Sequence, residues 1–150
     1  MNYEIVHLDE KIVAGCCART SNTAPDMGQV IGGLWQKFYS PDGHPAIPGR
    51  IGDKALGIYT DYADAEKGEY TVMVACEVSG ADVPGFFVRK IPAGTYAKFI
   101  VKGHTVTAVQ QFWQELWQMK LNRSFVCDFE EYQNADFENA EIHIYIGLQQ

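Results

Sequence analysis

The same order of predicted secondary structure occurs twice along this 150-residue chain, and the duplication constrains its fold more than any other feature. In the first half, residues 3–18 are a strand-like run around IVAGCCA. A helix is predicted from Asp26 to Tyr39, because apolar residues recur there at helical spacing and Asp26 is a suitable N-cap or first-turn acid. Two strands are predicted next, over residues 55–62 and 70–78.

The second half repeats this order. Residues 85–103 contain strand-like runs separated by Pro92 and Gly94. A helix is predicted from Val106 to about Leu121, with Thr105 as a possible cap. The chain then closes with FVCDFEEYQ and AEIHIYIGL, which are predicted to form an antiparallel pair of strands.

The repeated order predicts an α+β fold built from two similar β-α-β-β units, at about residues 1–79 and 80–150. The two units would make one sheet, with a helix on each unit. A chain of 150 residues with 47% hydrophobic and 13% aromatic residues has enough material to bury such a core as one domain.

The charge of the chain argues against several classes of partner. Nineteen acidic and twelve basic residues give a net charge of −7, and Lys and Arg are dispersed, so direct nucleic-acid binding is not expected. No run reaches the ~18 consecutive apolar residues of a membrane span. The N-terminal sequence MNYEIVHLDE lacks the basic and apolar regions of a signal peptide. We expect a cytoplasmic protein that does not contact membranes.

The sequence lacks the motifs of common enzyme and metal sites. GxSxG, HExxH, the P-loop and GxGxxG are all absent. The four histidines are scattered along the chain without the spacing of metal ligands. We therefore predict no catalytic residue, no metal site and no cofactor.

Three tryptophans lie on the two predicted helices, and they allow two interpretations. Trp113 and Trp117 are four residues apart and share one helical stripe, while Trp35 lies on the first helix. The stripe could be ordinary core. Alternatively, the indoles line a binding site, because three exceed what a small core needs and each buried N–H requires a partner. Aromatic walls around a carboxylate would attract a lipophilic cation, with about 0.5–2 kcal/mol from each well-placed ring.

The strand sequence CDFEEYQ holds two adjacent glutamates, which strand alternation places on opposite faces of the sheet. Phe125, Phe129 and Glu131 would share one face, and Glu130 would lie on the other. Hydrophobicity alone favours burial of the face that carries Glu131, but the closing strand does not decide between the two faces. The pattern leaves open which glutamate lies in a cleft.

Five segments, in order and at matching spacing, resemble the GyrI-like small-molecule-binding domain, which also forms the effector-binding half of bacterial multidrug-responsive transcription activators. They are GIYTDY followed by GEYTVMVACEV, IPAGTYAKFIVKG, FWQELWQMKL, and FEEYQ leading into EIHIYIGL. The resemblance covers essentially the whole chain. It implies two β-α-β-β units related by a pseudo-twofold axis, one antiparallel sheet, and a cleft between the helices.

The resemblance also implies a set of ligand-binding residues. The family's motif of Phe, Glu, any residue and Tyr falls on Phe129, Glu130 and Tyr132, which favours Glu130 over Glu131. The aromatic residues that it assigns to the pocket are Tyr132, Tyr145, Trp113 and Trp117, with Tyr59 and Trp35 as looser transfers. The closing strand departs from the family pattern at Gly147, where a proline commonly follows Tyr-Ile.

Together these features predict a binding protein for hydrophobic, cationic small molecules, with the loop at residues 40–53 as a possible rim of the pocket. No helix-turn-helix precedes the binding segment, so we expect a stand-alone form. Two alternatives remain open, and the first of them uses the same glutamate and aromatic residues. Some GyrI-like relatives hydrolyse reactive cyclopropane-type compounds, for which Glu130 could act as a general base. Other relatives inhibit gyrase, which would require a protein partner; a homodimer is a further possibility.

Overall fold

A computed structural model describes residues 1–149 of the chain. Within this range the chain forms eight strands and two α-helices: β1 (Glu4–Leu8), β2 (Lys11–Ser21), α1 (Met27–Phe38), β3 (Leu56–Thr60), β4 (Glu69–Val78), β5 (Phe87–Ile91), β6 (Gly94–Gly103), α2 (Thr105–Leu116), β7 (Arg123–Tyr132) and β8 (Ala140–Leu148). The α+β class predicted from the sequence is confirmed. Neither helix within residues 1–149 has the length and apolar content needed to cross a membrane.

The eight strands form one antiparallel sheet in the order β1-β6-β8-β7-β3-β4-β2-β5. Each strand of the first half has a counterpart in the second: β1 and β5, β2 and β6, β3 and β7, β4 and β8. Replacing every strand by its counterpart gives the same order read from the other edge of the sheet. The two halves of the chain therefore occupy equivalent places on either side of the central pair, β7 and β3. The repeated order in the sequence corresponds to a symmetric arrangement in the sheet.

Each half contains one strand more than the predicted β-α-β-β unit. The additional strands, β1 and β5, have five residues each and lie at the two edges of the sheet. Each pairs with a long strand of the other half: Ile5 lies opposite Ala97, and Val13 lies opposite Arg89. The halves are thus joined at both edges as well as at the centre.

Each helix packs its apolar stripe on the strands of its own half. Leu34 and Phe38 of α1 are buried over β2 and β4, and Phe112 and Leu116 of α2 are buried over β6 and β8. These pairs are the eighth and twelfth residues of their helices. Because both helices lie over the outer strands, a gap remains between them above β3 and β7.

The other face of the sheet carries a third buried cluster, to which every strand contributes and over which no helix lies. Met73 and Phe129 in this cluster have no exposed surface. Residues of the edge strands β1 and β5 pack in the same cluster as residues of the central strands, so the sheet curves around it. Both faces of the central strands are consequently buried, one beneath the helices and one inside the curved sheet.

The ends of α2 differ from the prediction. The helix ends at Leu116 rather than near Leu121. Apolar residues continue past its end because Met119 and Leu121 pack on the same core from the segment that follows. At the other end, His104 occupies the N-cap position in place of Thr105, and no side chain caps the helix.

Candidate functional site

A cavity of about 930 Å³ lies between α1 and α2, above the central strands. Each helix lines the cavity with the same positions, counted from its first residue. They are Met27, Gly28, Ile31, Gly32, Trp35, Gln36 and Tyr39 on the α1 side, and Thr105, Val106, Val109, Gln110, Trp113, Gln114 and Trp117 on the α2 side. The spacing is that of one face of a helix. The two walls are therefore built from equivalent positions.

Glu130 of β7 lies at the base of the cavity, and its carboxylate accepts three hydrogen bonds. The Tyr59 hydroxyl and the Trp113 indole N–H each donate to Oε2 at 3.0 Å. The Tyr132 hydroxyl donates to Oε1 at 2.9 Å. The Glu130 residue is only 2% exposed, so these three aromatic side chains, rather than water, provide most of its solvation.

The aromatic residues around Glu130 form two equivalent pairs. Tyr59 packs edge-to-face against Trp113, with ring centroids 5.2 Å apart, and Tyr132 packs in the same way against Trp35 at 4.9 Å. Each pair joins a tyrosine from a central strand of one half to the tryptophan at the ninth position of the other half's helix. The carboxylate thus lies between two matched Tyr–Trp pairs.

Gly57 of β3 provides the space that the carboxylate occupies. It is the cross-strand partner of Glu130. A Cβ atom at residue 57 would lie 2.9 Å from Oε1 of Glu130 and 3.4 Å from the Trp35 ring. Tyr59 follows Gly57 by two residues, as Tyr132 follows Glu130, so Gly57 and Glu130 hold equivalent places in the two halves. One place carries the carboxylate, and the other has no side chain to displace it.

The charge of Glu130 is not neutralised by the protein itself. Among residues 1–149, no Lys, Arg or His forms an ion pair with it. Burial raises the pKa of Glu130, an effect partly offset by the hydrogen bonds from Trp113, Tyr132 and Tyr59. A buried carboxylate without a cation is unfavourable by several kcal/mol. Such a group at the base of a cavity is a candidate for binding a positively charged ligand.

The hydroxyls of Tyr59 and Tyr132 are held in the donating state. Burial, together with the nearby Glu130 charge, raises the pKa of both tyrosines well above 10. They therefore remain protonated throughout the pH range in which a folded protein is normally studied. The cavity base keeps three fixed donors aimed at one carboxylate.

Asp128 is a second buried acid on β7, but its charge is satisfied by the protein. Its Oδ2 atom lies 2.8 Å from Nη2 of Arg123 and accepts a hydrogen bond from the Tyr62 hydroxyl at 2.5 Å. Its Oδ1 atom accepts the Gly147 backbone N–H at 2.9 Å. A proline in place of Gly147 would remove that donor. Asp128 therefore has a structural role, in contrast to Glu130.

Glu131 lies on the opposite face of the sheet from Glu130. Its carboxylate is 3.8 Å from Nζ of Lys54 and accepts a hydrogen bond from Gln133 at 2.8 Å. The face of Phe129, which hydrophobicity favoured for burial, is buried as well, but inside the curved sheet rather than under the helices. Because both faces of β7 are buried here, alternation alone could not identify the residue in the cleft.

Six of the seven residues assigned to ligand binding from the sequence line the cavity: Glu130, Tyr132, Trp113, Trp117, Trp35 and Tyr59. Tyr145 lies on the other face of the sheet, where it stacks on Phe129 with ring centroids 4.6 Å apart. The reason is the strand register, in which Glu130 lies opposite Ile144 and Tyr145 lies opposite Phe129. This correction removes Tyr145 from the lining of the cavity.

Phe125 also departs from the predicted alternation. It has a φ of 53° and lies in the irregular stretch of β7 between Arg123 and Asp128. Its ring contacts Tyr62, at 5.8 Å between centroids, and the Arg123 guanidinium, at 4.2 Å from the ring centroid. Phe125 therefore supports two residues of the cavity lining instead of sharing the face of Phe129.

The rim of the cavity is formed by residues 134–137 and not by the predicted loop at 40–53, none of whose residues lines it. The Thr105 backbone N–H donates to the Phe137 carbonyl at 2.8 Å, which attaches this rim to the start of α2. Phe137 is 62% exposed and gives the mouth an apolar edge. The loop at 40–53 instead packs on the core beneath α1 through Ile47.

Sequence reasoning missed part of the α1 wall and the tyrosines at one end of the cavity. Met27 and Ile31 precede Trp35 by eight and four residues, so helical spacing from Trp35 would have identified them. Tyr62 and Tyr70 also line the cavity, and the Tyr70 hydroxyl donates to Oδ1 of Asn22 at 2.8 Å. Tyr62 follows β3 and Tyr70 lies in β4, so their place in the cavity depends on how separate elements pack and not on the spacing within one element.

Solved structures share this fold over nearly the whole chain. The integron cassette protein VCH_CASS2, from the mobile metagenome of Vibrio cholerae, is 27% identical, with a TM-score of 0.79 over 98% of this chain and 95% of that one. SAV2435, solved bound to tetraphenylphosphonium, is 22% identical, with a TM-score of 0.81 over 99% and 94%. The EcmrR C-terminal domain is 17% identical, with a TM-score of 0.56 over 100% and 99%. No curated protein sequence matched the chain.

The sheet, the two helices and the cleft between them are those of a GyrI-like effector-binding domain, which confirms the resemblance seen in the sequence. The family model described as Cass2, integron-associated effector binding protein, matches residues 4–148. The chain therefore belongs to the Cass2 family of integron-associated effector-binding proteins.

Proposed function

We propose that this protein binds lipophilic organic cations in the cavity between α1 and α2. The observation that carries the proposal is the Glu130 carboxylate, which is 2% exposed and has no cationic partner within residues 1–149. Its three hydrogen-bond donors are all aromatic side chains that also line the cavity. A cation entering the cavity would meet a carboxylate and aromatic rings at the same place.

The energetics of such a site favour a cation over a neutral ligand. A unit charge about 4–5 Å from the Glu130 carboxylate gains roughly 3–4 kcal/mol if the effective dielectric constant is about 20. Each aromatic ring in contact with the cation adds about 0.5–2 kcal/mol. Trp35, Trp113 and their tyrosine partners are placed on both sides of Glu130 to make those contacts.

The size of the cavity supports a ligand of several aromatic rings. Its volume, about 930 Å³, lies at the upper end of the roughly 300–1,000 Å³ that is usual for small-molecule sites. The similar structure of SAV2435 holds tetraphenylphosphonium, a cation with four phenyl groups. We propose the same class of ligand for this protein.

The lining supports binding rather than hydrolysis. Among the described residues that line the cavity there is no Ser, Cys, His or Lys that could act as a nucleophile or as a second proton carrier. No three His, Cys, Asp or Glu side chains come together as in a metal site anywhere in residues 1–149. The other acids of the lining, Glu66 and Asp136, are exposed, so Glu130 is the buried acid available for hydrolysis. Binding uses every aromatic residue around it.

The proposal is tested with two ions of the same shape and opposite charge, tetraphenylphosphonium and tetraphenylborate, titrated separately. All three tryptophans line the cavity, so intrinsic fluorescence reports occupancy directly. We expect saturable quenching by the phosphonium and none by the borate at the same concentration. Equal affinity for both ions, or no binding of the phosphonium, would contradict the proposal.

A further inference from the structure

We propose that Gly28 and Gly32 of α1 are specificity-determining residues, which direct the bulk of the ligand to the α1 side of the cavity. This inference rests on the proposed function. It concerns which lipophilic cations the protein accepts, and it predicts a preference for cations that carry large aromatic groups over those with small substituents.

The two walls of the cavity differ at two equivalent positions. Gly28 and Gly32 are the second and sixth residues of α1, and the same positions of α2 carry Val106 and Gln110. All four residues line the cavity. The α2 wall therefore has side chains at two places where the α1 wall presents only helix backbone.

The bare part of the α1 wall is open space rather than a packing contact. Apart from its chain neighbours and the backbone of its own helix, a Cβ atom built on Gly28 or Gly32 would have no heavy atom within 4 Å. Neither glycine is thus required for close approach to another element, which is a common reason for glycine inside a helix. Glycine is also among the poorest helix formers. What the two glycines supply is room within the cavity, one helical turn apart and beside Ile31 and Trp35.

A flat wall of this kind suits an aromatic group. Beyond the first turn, the backbone N–H groups of a helix are paired within it, so the surface left uncovered at Gly32 can pack against a ring without losing hydrogen bonds. When the charged centre of the ligand lies near Glu130, an aromatic substituent that points towards α1 can occupy the open space at Gly32. The equivalent space on the α2 side is filled by the Gln110 side chain. A small cation would not reach this wall.

The test compares Gly32→Gln with Gly33→Gln. The first introduces the residue that α2 carries at the equivalent position. The second makes the same change at the next residue, which does not line the cavity and also has open space around it. Both variants should fold, as thermal melting would verify. The probes are tetraphenylphosphonium and the smaller trimethylphenylammonium, titrated calorimetrically.

We expect Gly32→Gln to weaken tetraphenylphosphonium binding by about tenfold or more, the usual effect of filling part of a pocket. The affinity for trimethylphenylammonium should change little, and Gly33→Gln should affect neither cation. The inference is overturned if Gly32→Gln binds tetraphenylphosphonium like the wild type, if it weakens both cations equally, or if Gly33→Gln has the same effect. A wild-type protein that bound neither cation would instead contradict the proposed function, and this inference with it.

Discussion

Replacing Glu130 with glutamine should separate the charge of the site from its shape. Glutamine has nearly the same size, and its Oε1 atom can accept the two hydrogen bonds that now go to Oε2 from Tyr59 and Trp113. The amide nitrogen then takes the place of the other oxygen, where the Tyr132 hydroxyl can rotate to accept from it. The network keeps its partners while the negative charge is lost.

The expected loss follows from the distance at which a bulky cation can approach. The phenyl groups of tetraphenylphosphonium keep its centre roughly 5–6 Å from a carboxylate, where the Coulomb term is about 3 kcal/mol at an effective dielectric constant of about 20. That free energy corresponds to roughly a hundredfold in Kd. A neutral ligand such as triphenylphosphine oxide has no such term and should lose little affinity.

The chain offers a matched control in Glu131, the next residue along β7. Glu131→Gln changes the net charge by the same amount, but its side chain lies on the opposite face of the sheet beside Lys54. Fluorescence titration of both variants with both ligands should show a large loss only for Glu130→Gln with the cation. Equal losses for the cation and the neutral ligand, or equal effects of the two variants, would refute the electrostatic role of Glu130.

Three further predictions follow from the same geometry. Because burial raises the pKa of Glu130, the affinity for tetraphenylphosphonium should fall as pH decreases through that raised pKa, by about tenfold per unit until it levels off roughly a hundredfold lower. Without ligand, the free energy of unfolding should decrease as pH rises through the same range, because the folded state binds the Glu130 proton more tightly than the unfolded state does. The Glu130→Gln variant should show neither the pH-dependent affinity nor this pH-dependent stability. Gly57→Val should place the Cβ atom of an isopropyl group against the carboxylate. Thermal melting and calorimetry should then show stability lowered by about 1–3 kcal/mol and weaker cation binding. Asp128→Asn should leave Arg123 without its charged partner and lower the free energy of unfolding, measured with urea, by about 3–5 kcal/mol. It should reduce cation affinity far less than Glu130→Gln does.

The fold class could be predicted because its signals are local. Strand alternation and helical spacing lie within single segments, and their repetition along the chain indicated two similar halves. The exchange of β1 and β5 between the halves could not be predicted, since each pairs with residues far away in sequence, such as Ile5 with Ala97. The end of α2 was misplaced because Met119 and Leu121 continue the apolar pattern without continuing the helix.

The candidate site could be predicted only where one element determined it. Helical spacing placed Trp113 and Trp117 on one stripe, and the Phe-Glu-x-Tyr motif favoured Glu130. The position of Tyr145 depends on the register between β7 and β8, and the space at Gly57 depends on the register between β3 and β7. Neither register is encoded in a single strand, so Tyr145 was placed on the wrong face and Gly57 was overlooked.

The most direct measurement is a crystal structure of the protein with tetraphenylarsonium, which has the shape and charge of tetraphenylphosphonium and carries an anomalous scatterer at its centre. We expect one strong arsenic peak in the cavity between α1 and α2, above Glu130 and between Trp35 and Trp113. A peak elsewhere on the molecule, with this cavity free of the cation, would contradict the role proposed for Glu130.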